Sequence, residues 1–297
     1  MQWAKAGWGP EYSQEFNQYK NYYVDLSNLT ATDLSLLKVS KLTIESIVKK
    51  YTEPYNLMVS GGVDSQTMLW CWLNSDTNFN AYCIKYVDSQ GKVYNSHDIE
   101  TLEIFANNHN IEINYLNFNI FNFLEKKLYE YANKYTCTSP QITAHMCMSE
   151  MITTGTKIFS GNFIPGGMYN YTILGMDRYA RNSGYSVVPF FLMHDPDIAG
   201  VLRKYDEIKD IEAPIHYERK IKLLQSAGVP IIPQKEKYTG FELIKDFYDQ
   251  TTTISRQDKI RYSTNHSKRN FDILFRYKLT NTIKYQDKVR YNLPQLS

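Results

Sequence analysis

Residues 56–70 read NLMVSGGVDSQTMLW, and the turn Ser60-Gly61-Gly62-Val63-Asp64-Ser65 within them constrains the fold more than any other stretch of the chain. Ahead of it, Leu57-Met58-Val59 is an apolar run too short for a helix and suited to a buried strand. Behind it, Met68 to Leu73 contain neither glycine nor proline and are apolar nearly all round, which predicts a helix covered on more than one side. The order is therefore strand, glycine turn, helix. The first N–H groups of such a helix have no intrahelical partner and lie at the positive end of its dipole. Gly61 and Gly62 carry no side chain to obstruct a ligand and are free to adopt positive φ, while Ser60 and Ser65 add hydroxyl donors. Such a turn suits an anion, and phosphate above all. No Gly-Lys-Ser/Thr follows, so this is not a Walker loop, and it is not a GxGxxG dinucleotide turn. Asp64 would repel a phosphate unless a cation lay between them, and Mg²⁺ held by Asp64 and bridging to phosphate oxygens is the simplest solution.

The six residues resemble the SGGxDS signature of the PP-loop (N-type) ATP pyrophosphatases, the adenine nucleotide alpha hydrolase-like family. That family includes GMP, asparagine, NAD and tRNA lysidine synthetases, tRNA thiolation enzymes and 7-cyano-7-deazaguanine synthases. The motif covers six residues, and a weaker topological similarity extends over residues 50–190. The resemblance implies ATP and Mg²⁺ as cofactors, with Ser60, Gly61, Gly62, Val63, Asp64 and Ser65 holding the pyrophosphate half. It implies catalytic roles for Asp64 and Ser65, and Asp64 as the Mg²⁺ ligand. The implied reaction cleaves ATP between the α and β phosphates. AMP passes to an oxygen of a substrate, which a nitrogen or sulfur nucleophile then attacks.

A second glycine-rich stretch, Ser160-Gly161-Asn162-Phe163-Ile164-Pro165-Gly166-Gly167, follows a predicted strand, so Gly161 and Asn162 are candidate nucleotide contacts. Asparagine synthetases carry a Thr-Gly-Glu/Asp-Gly-like loop at the corresponding point. Here Asn162 stands where an acid would be expected, and no carboxylate follows until Asp177. Arg178 and Arg181 have the spacing to clamp a phosphate or carboxylate from one helical turn, or to form a solvated face. Lys235 lies in PQKEKYTGFE, a loop that can fold over an active site. His194, Asp195 and Asp197 can form a metal cluster, but Asp195-Pro196 reads better as a helix start.

The rest of the chain predicts alternating strands and helices, hence an α/β fold with a parallel sheet and helices on both faces, plus helical additions at each end. A short strand is expected near 22–26 and a helix over 32–51 capped by Thr32 or Asp33. Strands follow at 81–87, 111–120 and 157–160. Helices are expected over 97–108 (Ile99, Leu102, Ile104 and Phe105 inward), 121–135 and 141–153. In such sheets ligands bind at the carboxyl ends of the strands, where the SGGVDS turn and Gly161 would both lie. Domain limits follow: an N-terminal extension over 1–50, an ATP-binding domain over 51–200 and a mostly helical region over 201–297.

No apolar run of the 297-residue chain nears the ~20 residues needed to span a membrane, and no signal-peptide core is recognisable, so a cytoplasmic location is expected. The four cysteines form no CxxC pair, which argues against a structural zinc site; Cys137 and Cys147 are either core residues or a thiol pair. Residues 256–290 hold ten Lys/Arg against three acids, so this segment carries +7 and the remainder −5. Within family branches, Gln2 argues against an N-terminal cysteine glutaminase of the asparagine synthetase type. The sequence also has no C-terminal Cys-Gly-x-His motif of the sulfonucleotide reductase kind.

Three functions remain. One is an adenylating ligase acting on a small molecule. Another is an enzyme of the same chemistry acting on a tRNA or DNA base, using residues 256–291, where aromatic residues interleave with cations. The third is a nucleotide-binding module without turnover. The oligomeric state stays open, a homodimer included.

Overall fold

The computed structural model describes residues 5–8, 22–25, 33–135, 137, 140–161, 171–206 and 216–234. Five parallel strands form its centre: β3 (Tyr55–Val59), β4 (Asn80–Val87), β5 (Ile113–Asn119), β6 (Thr156–Phe159) and β7 (Val187–Val188), in the spatial order β5-β4-β3-β6-β7. Two short strands, β1 (Lys5–Trp8) and β2 (Tyr22–Asp25), pair antiparallel in a separate ribbon. Among the described residues no helix is long and apolar enough to cross a membrane.

The period of two along each strand divides the core. Leu57 and Val59 of β3, Ala81 and Cys83 of β4, and Ile158 of β6 face one side. There they meet α1 (Leu36–Lys50), α2 (Val63–Leu73), α3 (Ser96–Asn108), α8 (Pro196–Asp206) and α9 (His216–Ser226). Met58, Ile84, Tyr86, Phe118 and Phe159 face the other side, against α4 (Ile120–Lys126), α5 (Leu128–Tyr135), α6 (Pro140–Ser149) and α7 (Tyr171–Asn182). Both faces of the sheet are thus covered. Each fully buried aliphatic side chain contributes about 2 kcal/mol to holding the layers together.

Chain order and spatial order diverge at one place. From β3 the chain winds outward through β4 to β5, then returns past β3 to lay down β6 and β7. Crevices open at such a reversal, between the carboxyl ends of β3 and β6. The register sets Met58 against Phe159, and carried two residues on it places Ser60 beside Gly161.

Several expectations are corrected. The cap of α1 is neither Thr32 nor Asp33: Ser35 accepts from the Lys38 N–H, and the helix begins at Leu36. The single helix expected over 121–135 is two, parted at Lys127, whose φ of −117° leaves the helical range. Both pieces bury their apolar residues in the same core. In α3, Ile104 points outward and is 52% exposed, while Ile99, Leu102 and Phe105 are buried. β7 was not foreseen, because two valines are too short a run to show a period.

Asp195 does start a helix: its Oδ1 accepts from the Ile198 N–H of α8, and its Oδ2 accepts from Thr43 Oγ1 of α1. The expected boundary at residue 200 falls inside α8, whose Ile198, Val201 and Leu202 join the core of the α1–α2 face.

Candidate functional site

β3 ends at Val59, opposite Cys83, but β4 runs on to Val87. The Asn95 side chain stands in for the absent neighbour strand, donating to the Ile84 carbonyl and accepting from the Tyr86 N–H, both at 2.9 Å. Space above the end of β3 is thereby left to the SGGVDS turn rather than to more sheet.

The turn leads directly into α2, whose N-cap is Gly62, with no side-chain cap of its amides. On one side of the turn three donors gather. Ser60 Oγ accepts from the Gly62 N–H at 3.2 Å and lies 3.2 Å from Ser65 Oγ. These hydroxyls and the first amides of an uncapped helix form a cradle of the kind that holds anions.

Neither glycine of the turn adopts positive φ; Gly62 has φ −68°. Gly61 is required for a different reason. A Cβ there would lie 2.2 Å from the Asp98 carbonyl oxygen, so the first turn of α3 packs directly on the loop backbone. Gly161, at the end of β6, does take φ +77°, and a Cβ on it would press on Phe190. The Ser160 carbonyl accepts from the Leu192 N–H, which pins this second turn to the segment after β7.

The charge around Asp64 differs from the expectation of a metal alone. Lys220, from α9, places Nζ 2.8 Å from both carboxylate oxygens, with its hydrogen bond directed to Oδ2. The lysine side chain is 8% exposed and the aspartate side chain 20%. A cation from 156 residues away therefore already answers the carboxylate in the SGGVDS turn.

A second carboxylate, Asp98, packs against Gly61. Burial pushes it up to about 6, partly offset by hydrogen bonds from the Gly61 N–H and from Gln234 Nε2, the latter at 2.6 Å. One further polar pair lies near the carboxyl end of β4. Tyr86 Oη is 3.0 Å from His145 Nε2 of α6, and burial lowers the imidazole to about 4, so it is neutral at physiological pH.

The remaining sequence candidates separate. Ser60, Gly61, Gly62, Val63, Asp64 and Ser65 form the turn between β3 and α2, and Gly161 stands two residues after β6, the strand next to β3 in the sheet. Arg178 and Arg181 are on α7, and Arg181 Nε lies 3.0 Å from Asp177 Oδ2, one turn back on the same helix. Asn162, Lys235 and residues 256–291 lie outside the described residues. Cys137 and Cys147 are buried thiols in no disulfide among the described residues, and burial raises Cys147 above the ordinary thiol range. Among the described residues no group of three His, Cys, Asp or Glu side chains is placed to hold a metal ion.

Mg²⁺ nevertheless suits this donor set, because it keeps several waters and needs only one or two carboxylates alongside phosphate oxygens. Asp64 would supply the protein oxygen. Sequence reasoning missed Lys220, Asp98, Gln66 and Gln234. Gln66 adjoins the motif and could have been found there, whereas the others reach the loop only through the packing of α3, α9 and the segment after α9. No protein-family model matches the chain, and none of the curated proteins compared with it matches.

Proposed function

We propose that the chain is an ATP pyrophosphatase-type enzyme of the PP-loop kind, which cleaves ATP to AMP and pyrophosphate and adenylates a substrate for attack by a nitrogen or sulfur nucleophile. The observation that carries this reading is the position of Ser60–Ser65. The motif turn lies at the carboxyl end of β3, next in the sheet to β6, where the order of the parallel strands reverses.

Each residue of the turn has a role in this reading. The Gly62 amide and the Ser60 and Ser65 hydroxyls bind the β and γ phosphates. Ser65 stays within reach of the bond that breaks. Asp64 would be the protein ligand of Mg²⁺, which when bound would supply charge neutralisation for the phosphates. Lys220 balances the charge of the same carboxylate, so Asp64 does not by itself repel the departing pyrophosphate, and the free amides at the start of α2 face its negative charge.

The test is incubation of the full chain with α-labelled ATP and Mg²⁺, alone and with pooled metabolites, tRNA or DNA, beside an Asp64→Ala control. Labelled AMP formed only by the unaltered chain is the expected result, with the loss in Asp64→Ala about 10²-fold or more. The stimulating pool identifies the class of acceptor. Labelled ADP would sink the reading, and ATP binding without turnover in any pool would replace it by a nucleotide-binding module.

A further inference from the structure

The turn is held from behind by one side chain. Gln66, fully buried on the first turns of α2, donates through Nε2 to the Gly61 carbonyl at 2.8 Å and to the Ile232 carbonyl at 2.9 Å. Its Oε1 accepts from the Ile232 N–H at 2.8 Å. The amide of Gln66 thus pairs with both backbone groups of Ile232, as a neighbouring strand would, and spends its second donor contact on the loop.

The consequence for the loop follows from peptide geometry. In a trans peptide the carbonyl of one residue and the N–H of the next point in opposite directions. Gln66 fixes the Gly61 carbonyl toward α2 and the segment after α9, so the Gly62 N–H must point the other way, to the side of Ser60 Oγ and Ser65 Oγ. A flip of this one peptide would remove the Gly62 N–H from the cradle and put a carbonyl oxygen in its place, where it would repel phosphate. With glycine on both sides, little in the backbone itself opposes the flip.

We infer that Gln66 is a positioning residue that locks the Gly61–Gly62 peptide in its phosphate-receptive orientation, and that it does so only while residues 229–234 are docked against α2. The inference rests on the reading of the turn as a phosphate cradle. Two further side chains fasten the same C-terminal region to the loop's surroundings: Lys220 to Asp64, and Gln234 to Asp98. Loop and docked segment therefore form one coupled unit. Linkage requires that a phosphate ligand favouring the locked peptide also favours the docked segment.

The experiment measures binding of inorganic pyrophosphate with Mg²⁺ to the full chain by calorimetry, together with hydrogen exchange at the Ile232 amide with and without pyrophosphate. Gln66→Met keeps the volume and removes every bond of the amide; Ile232→Pro removes one of those bonds and leaves α2 untouched. The expected result is that the unaltered chain binds pyrophosphate, that each variant binds about tenfold more weakly or worse, and that pyrophosphate slows exchange at Ile232 in the unaltered chain but not in Gln66→Met. A purely structural role for Gln66 would lower the melting temperature without making Ile232 exchange respond to pyrophosphate. Equal affinity in folded variants overturns the inference. If neither variant folds, the unaltered chain decides alone, because Ile232 exchange indifferent to bound pyrophosphate overturns it too. Failure of the unaltered chain to bind pyrophosphate or ATP refutes the cradle itself, a result distinct from either.

Discussion

Lys220 and Lys157 are both buried lysines, 8% and 1% exposed, and they are buried on different terms. Lys220 meets a carboxylate, with Asp64 at 2.8 Å. Lys157, on β6, lies on the other face of the sheet; its Nζ is 3.2 Å from the centre of the Tyr185 ring and has no hydrogen-bond partner among the described residues. Burial lowers its amine to about 8, and the charge of Glu150 offsets only part of that effect. Glu150 is itself engaged at 2.6 Å by Tyr131 Oη. The difference lies in what balances the buried charge: Lys220 is neutralised by a carboxylate, whereas Lys157 has only the π face of a ring, which offsets far less of the cost of burial.

Breaking the first arrangement should have the largest effect. Asp64→Ala leaves Lys220 buried without its carboxylate, and a loss of about 3 kcal/mol of stability is expected from denaturant unfolding. The double variant Asp64→Ala/Lys220→Met should recover most of that loss. If it recovers nothing, the pair is not coupled and the comparison with Lys157 fails.

The second arrangement should respond in the opposite sense. Lys157→Met removes an amine that is costly to bury while charged, so the variant should be more stable at pH 7 by about 2 kcal/mol. The folded value, about 8, lies below the unfolded value of 10.5, so the unfolded chain holds more protons between them. Stability of the unaltered chain should therefore rise from pH 8 to 10.5 relative to the variant, and the gap between the two should close over that window. A gap independent of pH would mean that Lys157 is not the group responsible.

The smallest effect sharpens the account of the ring. Tyr185→Leu takes away the π face and should destabilise by about 1 kcal/mol while pushing the Lys157 amine lower still, measured by the same pH series. Tyr185→Phe, which keeps the face, should change little.

Some of the site was legible in the sequence. Ser60–Ser65 could be placed because each level agreed: an apolar run before, a glycine pair within, an unbroken apolar helix after. Ser160-Gly161 was legible for the same reason, and Gly161 proves to need its glycine for φ. Gly61 does not use its freedom to adopt positive φ, and a constraint on it is the Asp98 carbonyl, which no local pattern announces. Lys220 looked like one more lysine on an amphipathic helix. The break at Lys127 has no glycine or proline to mark it, and the start of α1 turned on which of several small polar residues faced the Lys38 N–H.

By itself the sequence determined the elements and the local chemistry: period two in the strands, the uncapped glycine start of α2, hydroxyls at Ser60 and Ser65, a carboxylate at Asp64. These follow from residue types within a few positions of one another, where backbone sterics and hydrogen-bonding capacity suffice. Only the tertiary structure decided the order β5-β4-β3-β6-β7, and with it the meeting of Ser60 and Gly161 at the reversal. The partners of Asp64, Gly61 and Gln66 were decided there too, because a hydrogen bond or ion pair depends on distance in space, and close packing brings together groups that lie up to 166 residues apart in the chain.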